Sequence, residues 1–180
     1  MEISINNVEN TSTNDMSKFH KLNDNWTLWA HLPHDTEWNL NSYKEIMSFN
    51  TVEEALTLYE TLPDKMIKNC MLFLMRKGIK PIWEDEKNKN GGCWSIKVTK
   101  DMASNIWELL SILLISEEIL NNEQDSNFVN GLSICVKNNT SAIIKIWISN
   151  NSNNSIKNLS KKIRDKFGYN IIYKHNNPEY

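Results

Sequence analysis

What most constrains this chain is a succession of short apolar segments, separated by turn residues rather than by long helices. Trp94 to Thr99 alternates with the period of two that marks a half-buried strand. Phe128 to Val136 and Ala142 to Ser149 read as two strands of a hairpin, joined across Lys137-Asn138-Asn139-Thr140-Ser141. Asn25 to Leu32 is an aromatic-rich strand, Cys70 to Arg76 a short apolar strand closed by Lys77-Gly78, and Asn170 to Lys174 a last strand. Three helices interrupt the series. Thr51-x-x-Glu54 is a capping box opening one that runs to Leu62, before Pro63. Asp101 to Leu120 carries Met102, Ile106, Leu109, Leu110, Leu113 and Leu114 at helical spacing. Ser155 to Phe167 turns Ile156, Leu159, Ile163 and Phe167 to one side, and Gly168 ends it. No strand–helix–strand–helix rhythm appears. The pattern predicts an α+β fold, an antiparallel sheet of about six or more strands with helices packed on one face. Such a sheet leaves its other face open to water or to a ligand.

With 180 residues, one domain is expected over residues 20–180, behind a disordered tail at 1–19 rich in Asn, Ser and Thr. The formal net charge of −2 argues against a generic nucleic-acid coat. Met1 to Lys18 has no apolar stretch of a signal peptide. Ile106 to Leu120 contains Glu108, Glu117 and Glu118, too charged to span a bilayer. Cys70, Cys93 and Cys135 form no C-x-x-C, so neither a disulfide framework nor a zinc site is expected. A cytoplasmic or nucleocytoplasmic protein follows, monomeric by itself and without a membrane partner.

Catalytic constellations are scarce. His20, His31, His34 and His175 sit in no recognisable motif, and no metal, cofactor or catalytic residue is expected. Glu84-Asp85-Glu86 is more simply solvated loop charge than a metal or acid–base site. The seven Trp residues are the stronger clue. Trp26, Trp29, Trp94 and Trp107 lie in apolar strands or a helix and read as core. Trp38 and Trp83 lie in polar loops, where exposed aromatics serve as stacking platforms. Trp83 is followed at once by Glu84, a pairing suited to a flat base with donors on its edge.

The run from Lys80 to Trp94, with its W-E-D-E-x-N-x-x-G-G-x-W pattern, closely resembles the signature loop of the eukaryotic translation initiation factor 4E family. Those proteins bind the messenger-RNA cap. The resemblance continues in order: Asn25-Trp26-Thr27-Leu28-Trp29 looks like the family's first strand, and Glu37-Trp38 like its first stacking Trp. Phe49-x-Thr51-Val52-Glu53-Glu54 resembles the start of its first helix, and Ile144-Lys145-Ile146-Trp147 the strand bearing a third Trp. It covers His20 to about Tyr173. The resemblance implies a curved antiparallel sheet with three helices on its convex face and the cap site on the concave side. It implies that Trp38 and Trp83 sandwich 7-methylguanosine, Glu84 accepts hydrogen bonds from its edge, and Trp147 lies near the methyl group. Capped mRNA would thereby be recruited for translation initiation.

This chain departs from the family at several positions. The Arg expected after Gly91-Gly92 is Cys93, and the Lys expected four residues before Trp147 is Ile143. The family's Arg at the end of the penultimate strand matches Lys137, and Lys145 lies on the same strand face as Ile143, so the resemblance implies these two as the phosphate cations. The family's dorsal Trp, which anchors the scaffold factor 4G and inhibitory proteins, is Leu56. A scaffold or regulatory protein presenting an amphipathic helix is expected there, against His20, Leu22, Val52, Leu56 and Trp107. The basic side of Ser155–Phe167 reads as a solvated helix face. Two alternatives stay open. One is a divergent cap-binding competitor or regulator, viral or parasitic for example, that does not use the usual scaffold. The other is a cap-cleaving hydrolase using Glu84, Asp85 and Glu86; a Nudix-type box of spaced Glu and Arg is absent, Arg76 and Arg164 being the only arginines.

Overall fold

The computed structural model describes residues 19–137 and 140–176. The expected tail, apart from Phe19, and the turn residues Asn138-Asn139 lie outside the described residues. Strands β1 (Lys21–His31), β2 (Tyr43–Thr51), β3 (Met71–Arg76), β4 (Gly92–Thr99), β5 (Val129–Val136), β6 (Ser141–Ile148) and β7 (Ile171–His175) form one curved sheet. Its order is β2-β1-β3-β5-β6-β4-β7, and every neighbouring pair is antiparallel. Helices α1 (Val52–Thr61), α2 (Asp64–Asn69), α3 (Ala103–Ile115) and α4 (Lys161–Phe167) complete the α+β architecture expected from the sequence. Among the described residues no helix is long and apolar enough to cross a membrane.

Strand periodicity sorts the side chains. Leu28, Leu74, Trp94, Ile96, Leu132 and Ile146 are each at most 1% exposed and form the main core, which α3 closes with Trp107, Leu110 and Leu114. Trp29 corrects the expectation that it joins this core. It lies three residues after Trp26 on the same strand, and an odd separation turns it to the opposite face. There it packs against a smaller cluster of Phe73, Met75, Ile79, Cys93 and Trp147. The sheet thus carries a closed aliphatic face and a second face with an aromatic floor.

Local chemistry explains the boundaries. The Thr51 side chain accepts from the Glu54 N–H, and the Glu54 carboxylate accepts from the Thr51 N–H at 3.2 Å, which is the expected capping box. The long helix stops at Ile115 rather than at Leu120, because Glu117 takes a positive φ of 61° and turns back to Arg76. Arg76, at the end of β3, binds both Glu117 oxygens, Asp24 and two backbone carbonyls, and lies 4.7 Å over Trp26. Burial opposes its charge, but the Glu117 and Asp24 carboxylates outweigh that and raise its pKa. The helix expected over Ser155–Phe167 is broken. A short 3₁₀ turn at Ile156–Asn158 is followed by Leu159, which bridges to Leu120, and α4 begins only at Lys161.

Candidate functional site

A cavity of about 470 Å³ opens on the face of the sheet away from the main core. That volume is in the range of small-molecule sites. Trp38, Trp83, Glu84, Trp147, Lys137 and Lys145 all line it, so the four residues expected at a base and the two expected at phosphates meet in one place. They come from the β1–β2 loop, the loop after β3, the residue that follows β5, and strand β6.

Trp38 is 61% exposed, yet it is not loose. The His31 ring stacks on it with centroids 4.4 Å apart and planes within 5°. His31 is itself 2% exposed, and its Nε2–H donates to the Glu37 carbonyl at 2.8 Å. The stack continues edge-on from His31 to Tyr43, from Tyr43 to Phe73 and from Phe73 to Trp147. Trp147 is almost fully buried and donates from Nε1 to Ser133 Oγ at 2.9 Å. One face of the Trp38 indole is therefore backed by the protein and the other is free for a ligand.

Trp83 is half-buried and Glu84 exposed, on a loop organised by Asp85 and Asn88. Asp85 accepts from the Lys80 and Lys87 amides at 3.0 and 2.9 Å. Asn88, fully buried, donates to the Lys80 and Ile82 carbonyls and accepts from Asn130 Nδ2. Asn176 Nδ2 donates to the Asn88 carbonyl. A side chain at Gly91 would collide with the Ile148 carbonyl, and one at Gly92 with the Tyr173 hydroxyl. The loop thus closes tightly against the sheet. Burial, and then the Glu84 charge, push the Tyr43 phenol up, so Glu84 acts electrostatically on the cavity wall.

The remaining acids do not converge on a reaction centre. Asp85 is occupied by backbone N–H groups, and Glu86 pairs with Lys89 at 2.6 Å. No cluster of metal-ligating side chains occurs among the described residues. Cys93 is 4% exposed, and burial pushes its thiol up to about 12 against the opposing pull of Lys145. It is neutral at physiological pH and offers no cation.

The residues expected at a partner surface separate. Val52 and Leu56 are 38% and 54% exposed, beside Phe19 at 52%, which the sequence reading did not single out. His20 pairs with Glu53 at 2.7 Å and its carbonyl accepts from the Val52 N–H. Leu22 packs partly on the core. Trp107 is 1% exposed, so it belongs to the core and has almost no surface to offer a partner. His31 and Asn88 were missed as site residues. The parity that places Trp29 on the ligand face places His31 there too, and Asn88 stands inside the signature loop.

Residues 21–179 match the family model described as "Eukaryotic initiation factor 4E". Eukaryotic translation initiation factor 4E-1 of Arabidopsis thaliana is 26% identical over 171 residues, covering 91% of this chain and 70% of the plant protein. Ascaris suum eIF4E-3, solved with an m7G cap, superposes with a TM-score of 0.74 at 22% identity, over 89% of this chain and 93% of that one. C. elegans eIF4E-3, solved in complex with the 4E-binding protein Mextli, gives a TM-score of 0.75 at 19% identity, over 87% of this chain and 93% of that one.

Proposed function

The chain belongs to the eukaryotic initiation factor 4E family, and from that premise we propose that it binds the 7-methylguanosine 5′ cap of mRNA and recruits capped mRNA for translation initiation. The observation that carries this is the convergence of two loop indoles and one carboxylate, Trp38, Trp83 and Glu84, on a single cavity. Methylation at the 7-nitrogen leaves a positive charge on guanine. Two indoles clasping a cationic ring gain stacking plus cation–π attraction, about 2 kcal/mol or more when desolvated. Glu84 accepts hydrogen bonds from the base edge, strengthened by the same charge. Trp147, held by Ser133, borders the methyl group, and Lys137 and Lys145 meet the phosphates. No step of catalysis is required, and we read the protein as a binding factor of the cytoplasm, where capped mRNA is translated.

Regulatory helices dock, in this reading, on the exposed Val52–Leu56 side of α1. Leu56 offers less area than an indole and no N–H donor, which favours a dedicated partner over a generic scaffold peptide. This is the observation behind the second reading, a cap-binding regulator that bypasses the usual scaffold.

The test is retention on immobilised 7-methylguanosine. The wild type is expected to be retained and then released by free 7-methyl-GTP but not by GTP, and Trp38→Ala or Trp83→Ala to pass through. Undiminished retention of both variants would overturn the assignment.

A further inference from the structure

The loop that carries Trp83 and Glu84 is shaped from within and placed from without. Asp85 accepts from the Lys80 and Lys87 amides, and Asn88 donates to the Lys80 and Ile82 carbonyls. These bonds close the loop on itself. They do not fix where it stands over the sheet, yet the gap between Trp83 and Trp38, on the β1–β2 loop, depends on that placement. Two asparagines from other parts of the chain tie the loop down, and both reach Asn88.

Asn130, on β5 and buried, donates from Nδ2 to the Lys87 carbonyl at 2.7 Å and to Asn88 Oδ1 at 2.9 Å. A bulge gives it that aim. Val129 pairs with Ile148 and Gly131 with Trp147, which are neighbours on β6, so Asn130 is the extra residue of its strand. Bulges next to binding sites re-aim a side chain in this way. Gly131 permits the close packing there, since a Cβ would collide with the Leu74 carbonyl. Asn176 follows the end of β7. Its N–H donates to the Gly91 carbonyl at 2.9 Å, and its Nδ2 to the Asn88 carbonyl at 2.9 Å. Its Oδ1 accepts from the Cys93 thiol, with Sγ 3.6 Å away. Burial keeps that thiol protonated and therefore able to donate.

We propose that Asn130 and Asn176 are positioning residues for recognition of the base: they set the stand of the Trp83–Glu84 loop over the sheet, and with it the separation of the two indoles and the reach of Glu84 to the base edge. The inference rests on the cap-binding reading above. Neither asparagine lines the cavity, so each acts through Asn88 and the loop backbone. A loop that shifts by a fraction of an ångström loses affinity while every residue that touches the ligand is still present. The advantage of a cationic ring over a neutral one needs both indoles and Glu84 in place together, so it suffers most.

The experiment titrates 7-methyl-GMP and GMP, followed by Trp fluorescence, into the wild type, Asn130→Ala, Asn130→Asp and Asn176→Ala. Each alanine variant should bind 7-methyl-GMP about fivefold more weakly, the loss expected of one hydrogen-bonded tie. The preference for 7-methyl-GMP over GMP should shrink in both. Asn130→Asp keeps the size of the side chain but turns a carboxylate toward the Lys87 carbonyl and Asn88 Oδ1, two acceptors, so it should bind more weakly still than Asn130→Ala. A side chain that only filled space would give the opposite order. Hydrogen exchange of the ligand-free protein gives a second readout: the Asn88 and Gly91 amides should exchange faster in both alanine variants, while the β1 amides keep wild-type protection. Asn176→Ala, at the half-buried edge of the sheet, decides the matter if the Asn130 variants do not fold. Wild-type affinity for 7-methyl-GMP in both alanine variants would overturn the proposal. So would a loss that falls equally on 7-methyl-GMP and GMP, with unchanged exchange at Asn88 and Gly91. Failure of the wild type to bind 7-methyl-GMP at all would instead sink the cap-binding reading, and this inference with it.

Discussion

At the base end of the cavity, Trp83 and Glu84 ride on a loop tied down by Asp85 and Asn88, and Trp38 leans on a buried imidazole. At the other end, Lys145 projects from β6 and Lys137 follows the end of β5, neither with an ion-pair partner among the described residues. The difference follows from what each end recognises in the proposed function. Stacking and edge hydrogen bonds decay within a few tenths of an ångström, so their donors must be fixed before the ligand arrives. Charge attraction to phosphate falls off slowly and tolerates a mobile side chain. The end proposed for the base is tied down by loop hydrogen bonds, whereas Lys145 at the end proposed for the phosphates is placed only by the register of the sheet.

The largest expected effect is at the base end. Trp38→Ala or Trp83→Ala removes a stacking face worth about 1–3 kcal/mol, a loss of roughly five- to 150-fold in 7-methyl-GMP affinity by calorimetry. Asn88→Ala comes next and tests the loop that holds Trp83. It leaves the half-buried Lys80 and Ile82 carbonyls without their donor, so chemical denaturation should show a loss of about 1–2 kcal/mol. Its 7-methyl-GMP affinity should fall while the salt slope for capped RNA stays as in the wild type. His31→Ala strips the backing from Trp38. The expected loss is about two- to twelvefold in base affinity, since an aromatic pair is worth roughly 0.5–1.5 kcal/mol. A His31→Phe variant should recover most of it, and failure to do so would mean that stacking is not what His31 supplies. Smallest is Lys145→Ala, which should leave 7-methyl-GMP nearly untouched and reduce the gain from mono- to triphosphate by a few-fold. A larger effect on the base than on the phosphates would erase the contrast between the two ends.

The same contrast governs what could be seen in the sequence. Hairpins, the capping box and the loop indoles announce themselves, because period-two alternation and special turn residues are local signals. Strand β2 is an edge strand of mixed polarity with a register shift against β1, and so lacks the alternation that marks a strand. Helix α2 has six residues and no side-chain cap, so its sequence carries no start signal. Leu159 breaks the expected helix because a backbone bridge to Leu120 outweighs its apolar spacing. Trp83 and Glu84 sit together in one patterned loop, so their place on the cavity wall was legible. The place of Lys174 was not, because only the pairing of β4 with β7 brings it beside Cys93. Arg76 likewise becomes intelligible only once Asp24, Glu117 and Trp26 are gathered round it.

The central claim is that the cavity distinguishes a cationic, N7-methylated guanine from a neutral one. It is tested most directly by titrating the wild type with 7-methyl-GMP and with GMP, two ligands of the same shape apart from one methyl group, and following the quenching of Trp fluorescence. The account predicts strong quenching by 7-methyl-GMP and an affinity for GMP lower by at least about 30-fold, the equivalent of the 2 kcal/mol assigned to cation–π stacking. Equal affinity for the two, or tighter binding of GMP, would contradict it.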